Sequence, residues 1–201
     1  MILRRVAVSY HRVDVSQVRG EPRRAEYLRM NPMGKVPAVQ FDNGDVLSES
    51  GALLYWFGRN TSLWPNQERA RAEVLRWMSF EQYSHEPNLA VLRYLRHFAV
   101  GRNRSTDREG ELTTKSHQAL QVMEGQLACS AWIAGSTCTL ADYALYPYTK
   151  WANEAGIDLQ SYPSVLRWLS TVEEQPNFLP LREEGACSTA TYEEHFSSVS
   201  T

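Results

Sequence analysis

Two polar residues stand where a short predicted strand gives way to an apolar helix. Glu49 and Ser50 follow the run DVLS and precede GALLYWF. Serine is a preferred N-cap residue, and a helix N-terminus offers unpaired N–H groups and a partial positive charge that bind carboxylates. The pair is therefore a candidate site for an anionic ligand. The alternative is a simple serine cap beside a solvated glutamate, which is the commoner case for such a pair taken alone.

The run KVPAVQF contains a second set of candidates. Lys35 carries a positive charge, and Val36 and Pro37 lead into the predicted strand. Taken alone, the lysine is as often a solvated surface residue, and the proline is an ordinary turn residue. These three residues gain a function only from their context.

Several motifs that would indicate other chemistry fail on inspection. The run HEPNL begins like a zinc-protease motif but has leucine in place of the second histidine. The five histidines show no metal-ligand spacing, and there is no phosphate-binding glycine loop and no G-x-S-x-G elbow. Basic residues are scattered rather than interleaved with aromatic ones, so we expect no metal and no nucleic acid.

The first 59 residues predict the mixed α/β structure that must position the candidates. A strand is expected over residues 10–15 and a short helix over 23–30. The runs VPAVQF and DVLSES around Asn43-Gly44 predict a hairpin with a type I′ turn. Ser50 then caps an apolar helix, GALLYWFGRN.

The sequence after residue 59 predicts only helices. Residues 60–67 read as a linker and residues 68–201 as an all-helical domain, in which Pro87 interrupts a long helix. The run TLAD has the form of a capping box, with Thr139 as N-cap and Asp142 reaching back to its amide. That pair is structural.

Composition sets the broad class. The chain has 201 residues and a net charge of −2, so nothing draws it to nucleic acid or to an anionic membrane. Its three cysteines form no C-x-x-C pair and leave one over in any disulfide scheme, which suits a reducing compartment. No signal peptide or membrane-spanning run is evident, so we expect a cytoplasmic protein.

One long run resembles a known family. NPMGKVPAVQFDNGDVLSESGALLYWF is similar to the glutathione-binding half of the glutathione transferases. RWMSFEQYSHEPNLAV and STCTLADYALYPYTKWANEAGIDLQSYPSVLRWL look like the helical half of the same family. The resemblance covers nearly all of residues 1–183. It implies a thioredoxin-like N-terminal domain, an all-α C-terminal bundle and glutathione as co-substrate.

The resemblance also implies roles for the candidates. The Val36–Pro37 bond should be cis, which would present the Val36 backbone to glutathione as in β-strand addition. Ser50 and the helix N-terminus would hold the γ-glutamyl carboxylate, Glu49 would face the ligand's amine, and Lys35 would neutralise the glycyl carboxylate.

On the helical half, the family's long helix borders the pocket for the second substrate. The residues that fall there are Tyr83, His85 and Glu86. Core packing of Tyr83 and a solvated face for Glu86 explain these residues equally well.

The match begins inside the family's first helix. Aligning YHRVDV with the family's second strand leaves the first strand without a counterpart, and that strand carries the residue that activates the thiol. We therefore assign no catalytic residue. We also expect unpaired backbone groups along the strand at residues 10–15 and along the strand that follows Pro37. A start further upstream or a degenerate family member would each explain the difference.

The implied function is thiolate attack on a small electrophile, or thiol–disulfide exchange with glutathione. The alternative is a non-catalytic module that uses the same fold for binding. Family members pair as homodimers, so we expect a homodimer here as well.

Overall fold

The structure, a computed structural model, describes residues 1–99, 105–181 and 189–197, with only the backbone described at 189, 190 and 197. Contacts divide the chain into two compact units: Met1–Phe57 with Leu179–Thr201, and Gly58–Phe178. The boundaries expected from the sequence, 1–59, 60–67 and 68–201, stay a prediction. Helices and strands are numbered below in chain order.

The first unit contains short elements. In chain order they are α1 (Ile2–Arg5), β1 (Arg12–Asp14), a 3₁₀ turn (Glu21–Arg23), α2 (Ala25–Met30), β2 (Ala38–Gln40), β3 (Val46–Ser48), α3 (Ser50–Gly58), β4 (Thr189–Thr191) and α9 (Tyr192–Ser197).

Strands β2 and β3 form the predicted antiparallel hairpin, but its turn differs from the expected type. The Phe41 N–H donates to the Asp45 carbonyl at 2.8 Å, and between them only Gly44 has positive φ, at 89°. A type I′ turn needs positive φ at both central residues, so that expectation is wrong. The Asn43 side chain instead accepts from the Asp45 N–H at 3.1 Å, which stabilises a longer loop.

Strand β1 pairs in parallel with β4, in the register Arg12↔Thr189, Val13↔Ala190 and Asp14↔Thr191. The expectation that β1 would lack a partner strand is therefore wrong. A segment close to the C-terminus provides the partner.

The second unit is helical over its described residues. It comprises α4 (Glu68–Phe80), a π-helical turn (Glu81–His85), α5 (Glu86–Arg93), a second π-helical turn (Tyr94–Phe98), α6 (Thr106–Cys129), α7 (Leu140–Lys150), two 3₁₀ turns (Ala152–Ala155 and Leu159–Ser161) and α8 (Pro163–Glu173). Pro87 lies in the first turn of α5, directly after the first π-helical turn, so the predicted interruption is confirmed.

The core of the second unit is made by large side chains from its long helices and by Ile133, which lies between α6 and α7. Those with less than 2% exposure include Trp77, Leu89, Leu92, Leu112, Leu120, Met123, Leu127, Ile133 and Trp168. None of the described helices is long and apolar enough to cross a bilayer.

Candidate functional site

The candidate residues of the first unit meet at the open end of the hairpin. The β2–β3 ladder ends at the pair Ala38↔Ser48. Strands that pair in register place the residues just beyond the ladder side by side. The stretch before β2, with Val36 and Pro37, therefore lies beside the stretch after β3, with Glu49 and Ser50.

The Val36–Pro37 peptide bond is cis, as predicted. Val36 is 37% exposed, and no residue in the described ranges bonds to its backbone N–H or C=O. An exposed backbone amide and carbonyl next to a strand are the groups that an extended peptide ligand pairs with.

Two buried side chains fix the backbone just before this bond. The Tyr27 hydroxyl and the Asn31 amide each donate to the Lys35 carbonyl at 2.7 Å. Tyr27 is 1% exposed and Asn31 is 3% exposed, so both donors are held in place by packing. Burial also raises the pKa of Tyr27, which keeps its hydroxyl protonated as a donor. Sequence reasoning missed both residues.

Helix α3 begins at this end of the hairpin. The Glu49 carbonyl accepts from the Leu53 N–H at 3.0 Å, which makes Glu49 the residue before the first turn. The prediction that Ser50 caps the helix is therefore wrong, since Ser50 is the first residue of α3. The N–H groups of Ser50 and Gly51 have no acceptor among the described residues, and the Ser50 hydroxyl has no partner there either. These groups are available to a carboxylate.

Glu49 has a φ of 69°, in the left-handed region. For a residue with a side chain, this conformation costs roughly 1–2 kcal/mol. Such strain is found mainly where a structure must hold a functional group in place. Within the described part of the chain, neither Glu49 nor Lys35 has an ion-pair partner, and both side chains are exposed. Hence this end of the hairpin presents one negative and one positive charge to solvent.

Comparisons with known proteins decide the family. Residues 1–60 match the model of the glutathione S-transferase N-terminal domain, and residues 83–176 match the model of its C-terminal domain. The solved glutathione S-transferase of Xanthobacter autotrophicus is 38% identical, with a TM-score of 0.85 over 90% of this chain and 88% of that one. This chain belongs to the glutathione S-transferase family.

Two further relatives agree with this assignment. A glutathione S-transferase of Pseudomonas fluorescens is 33% identical, with a TM-score of 0.87 over 90% of each chain. The disulfide-bond oxidoreductase YfcG of Escherichia coli is 28% identical over 183 residues, which cover 88% of this chain and 84% of YfcG. The fold is thus the glutathione S-transferase fold, with a small thioredoxin-like unit and a helical unit.

The three candidates on the helical unit do not share one surface. Tyr83 is 90% exposed, so core packing does not explain it, whereas His85 is fully buried. His85 Nε2 lies 2.9 Å from Thr149 Oγ1, whose proton goes to the Leu145 carbonyl at 2.7 Å. His85 therefore donates through Nε2–H and is neutral; burial lowers its pKa to about 3. The proposed second-substrate role of Tyr83, His85 and Glu86 stays a prediction.

Sequence reasoning also missed a buried carboxyl group in this part of the glutathione S-transferase fold. Glu81 is 4% exposed, and the Gln82 amide donates to both Glu81 and Glu86 at 2.7 Å. Desolvation, with the nearby Glu86 carboxylate, raises the pKa of Glu81 to about 8. Glu81 therefore carries a proton at neutral pH.

The predicted capping box is present at the start of α7. Asp142 accepts from the Thr139 N–H at 2.8 Å and from the Thr139 hydroxyl at 3.0 Å. Its other oxygen accepts from the Ile133 N–H at 3.0 Å and from Trp168 Nε1 at 2.8 Å. Burial raises the pKa of Asp142 while these donors oppose the shift. The pair is structural, as expected.

Proposed function

We propose that the first unit binds glutathione at the open end of the β2–β3 hairpin. The observation that carries this proposal is the exposed backbone of Val36 beside the cis bond, whose N–H and C=O no described residue engages. A peptide whose cysteinyl residue is extended can bond to both groups as an added strand.

The remaining candidates suit the charged ends of glutathione. The γ-glutamyl carboxylate binds the N–H groups at the start of α3 and the Ser50 hydroxyl. Glu49 faces the ligand's ammonium group, and Lys35 neutralises the glycyl carboxylate. Each charge of this ligand then has a partner of opposite sign or a set of N–H donors.

The bound thiol is the reactive group. An ordinary thiol has a pKa of about 8.5, so a small fraction is thiolate at neutral pH. The thiolate attacks an electrophilic carbon and displaces its leaving group, or attacks a disulfide sulfur and releases the other sulfur as a thiolate. The similarity to YfcG, which is named a disulfide-bond oxidoreductase, supports the second reaction. The residue that activates the thiol is not assigned.

The test is calorimetric titration with glutathione. Ser50→Ala should weaken binding by about 1–3 kcal/mol, because a hydrogen bond to a charged group is lost. The matched control is Ser105→Ala, since Ser105 is another serine at the start of a helix, where it stands before the first turn and its hydroxyl accepts from the Arg108 N–H at 3.3 Å. The control should bind glutathione as the wild type does. Equal affinities for Ser50→Ala and the wild type would remove Ser50 from the site.

A homodimer in the cytoplasm belongs to the same proposal. The pairing of family members supports the dimer, and the three cysteines without a C-x-x-C motif suit a reducing compartment. Sedimentation at micromolar concentration should give twice the chain mass of 23.0 kDa. A species of the single chain mass would contradict the dimer.

A further inference from the structure

The residues from Thr189 to Ser197 have no role in the function proposed above. They form β4 and α9, with no residue between the two elements. The Thr191 N–H and hydroxyl donate to Glu194 Oε2 at 2.7 Å and 2.8 Å, and the Glu194 N–H donates back to Thr191 Oγ1 at 3.3 Å. This is a capping box, so the local sequence encodes the change from strand to helix. We call Thr189–Ser197 the C-terminal strap.

The strand of the strap forms a two-stranded sheet with β1, separate from the β2–β3 hairpin. Its three residues pair in parallel with Arg12–Asp14, and both strands belong to the unit that carries the hairpin. Backbone pairing of this kind is the geometry by which extended peptides bind to a sheet edge. Here the added strand comes from the same chain.

The helix of the strap packs through aromatic rings. Tyr192 is 3% exposed, and its ring centroid lies 4.5 Å from that of Phe196. The Arg24 guanidinium lies 5.0 Å from the Tyr192 ring and also pairs with the Glu193 carboxylate. The exposed ion pair contributes little by itself, so the buried ring is the principal anchor.

Tyr27 connects the packed rings of the strap to the proposed glutathione site. The Phe196 ring meets the Tyr27 ring edge-to-face at 6.4 Å, and the Tyr27 hydroxyl donates to the Lys35 carbonyl. A cavity of about 280 Å³ is lined by residues of α2, of the hairpin and of α9, so α9 faces both across it. The strap thus touches the side chain that fixes the backbone just before Val36.

We propose that the C-terminal strap is part of the glutathione-binding machinery, with Tyr192 and Phe196 as positioning residues that hold Tyr27, and through it the Val36 backbone, in the conformation that binds. This inference rests on the proposed function. When the strap is released, the binding-competent fraction falls, and the apparent Kd rises by the inverse of that fraction.

The experiment has two readouts on the full chain. One is the Kd for glutathione by calorimetry. The other is the hydrogen-exchange rate, by NMR without ligand, of the Gly34 amide, which is buried just before Lys35 and donates to the Asn31 carbonyl at 2.9 Å. Tyr192→Ala should raise the Kd about tenfold, if the competent fraction falls to about a tenth, and should speed exchange at Gly34. Tyr192→Phe, which keeps the ring, should stay near the wild type. Glu194→Ala removes only the cap of α9 and replaces Tyr192→Ala in the experiment if that variant does not fold. It should raise the Kd and speed exchange in the same way.

Tyr162→Ala controls for a general loss of stability. It removes a ring from the helical unit that is only 5% exposed and whose hydroxyl lies 2.7 Å from His117 Nδ1. It should lower the melting temperature and leave the Kd unchanged. Wild-type binding with no change in either readout for Tyr192→Ala overturns the role of the strap and leaves the proposed function standing. If the wild type binds no glutathione, both proposals fail. Faster Gly34 exchange would then show only that the strap holds the loop.

Discussion

Asp142 is the residue whose loss should most weaken the helical unit. Its carboxylate accepts from the backbone N–H groups of Thr139 and Ile133 and from the indole N–H of Trp168, at 2.8–3.0 Å. Asp142→Ala leaves these three buried donors without an acceptor. Each buried donor left without an acceptor lowers the free energy of unfolding by about 1–3 kcal/mol. Removing the buried carboxylate also removes its desolvation penalty, which offsets part of this loss. We expect a net loss of roughly 3–5 kcal/mol in the free energy of unfolding.

The matched control is another aspartate that caps a helix. Asp158 is exposed and, among the described residues, accepts only from the Gln160 N–H, at 2.9 Å. Asp158→Ala should therefore cost about 1 kcal/mol or less. For a chain of this size, 1 kcal/mol corresponds to about 2–4 °C in melting temperature, so Asp142→Ala should melt roughly 10 °C lower than the control.

The assay is thermal unfolding followed by far-UV circular dichroism and by tryptophan fluorescence, to which Trp168 contributes as one of six tryptophans. Asp142→Asn keeps one oxygen for Ile133 and Trp168 but presents an amide to Thr139, so its melting temperature should fall between those of the wild type and Asp142→Ala. The reasoning is refuted if Asp142→Ala melts no lower than Asp158→Ala.

Two further predictions concern buried titratable groups. Because the pKa of Glu81 is raised in the folded state from 4.5 to about 8, its contribution to stability is complete below pH 4.5 and declines as the pH rises towards 8. Glu81→Gln should therefore flatten the dependence of melting temperature on pH across this window, and an unchanged slope would contradict the shift. His85 should remain neutral, with its proton on Nε2, from about pH 5 to pH 8, because burial lowers its pKa to about 3. Nitrogen-detected NMR of the ring tests this, and a midpoint near the ordinary histidine value would be inconsistent with it.

The local features of the fold could be predicted from the sequence. The cis bond at Val36–Pro37 and the apolar helix α3 depend on neighbouring residues and on the resemblance of a continuous run, and both are confirmed. The cap of α3 lies one residue earlier than predicted, at Glu49. The hairpin was predicted for the same reason. Its turn type was not, because the Asn43 side chain bonds to the backbone and stabilises a longer loop than a two-residue turn.

Features that depend on distant residues could not be predicted. The donors to the Lys35 carbonyl, Tyr27 and Asn31, bond to a main-chain oxygen, and no side-chain pattern marks such an acceptor. The parallel pairing of β1 with β4 joins the two ends of the chain, which periodicity does not reveal. The T-x-x-E pattern at Thr191 was a readable sign of structure near the C-terminus.

The site depends most on the exposed backbone of Val36. A titration of ¹⁵N-labelled protein with glutathione, followed by amide resonances, measures directly whether that group binds. The Val36 amide should move downfield as it forms a hydrogen bond, together with the amides of Ser50 and Gly51 at the start of α3, and all three should saturate at one Kd. If glutathione shifts other amides and leaves these three in place, glutathione does not bind at the open end of the hairpin.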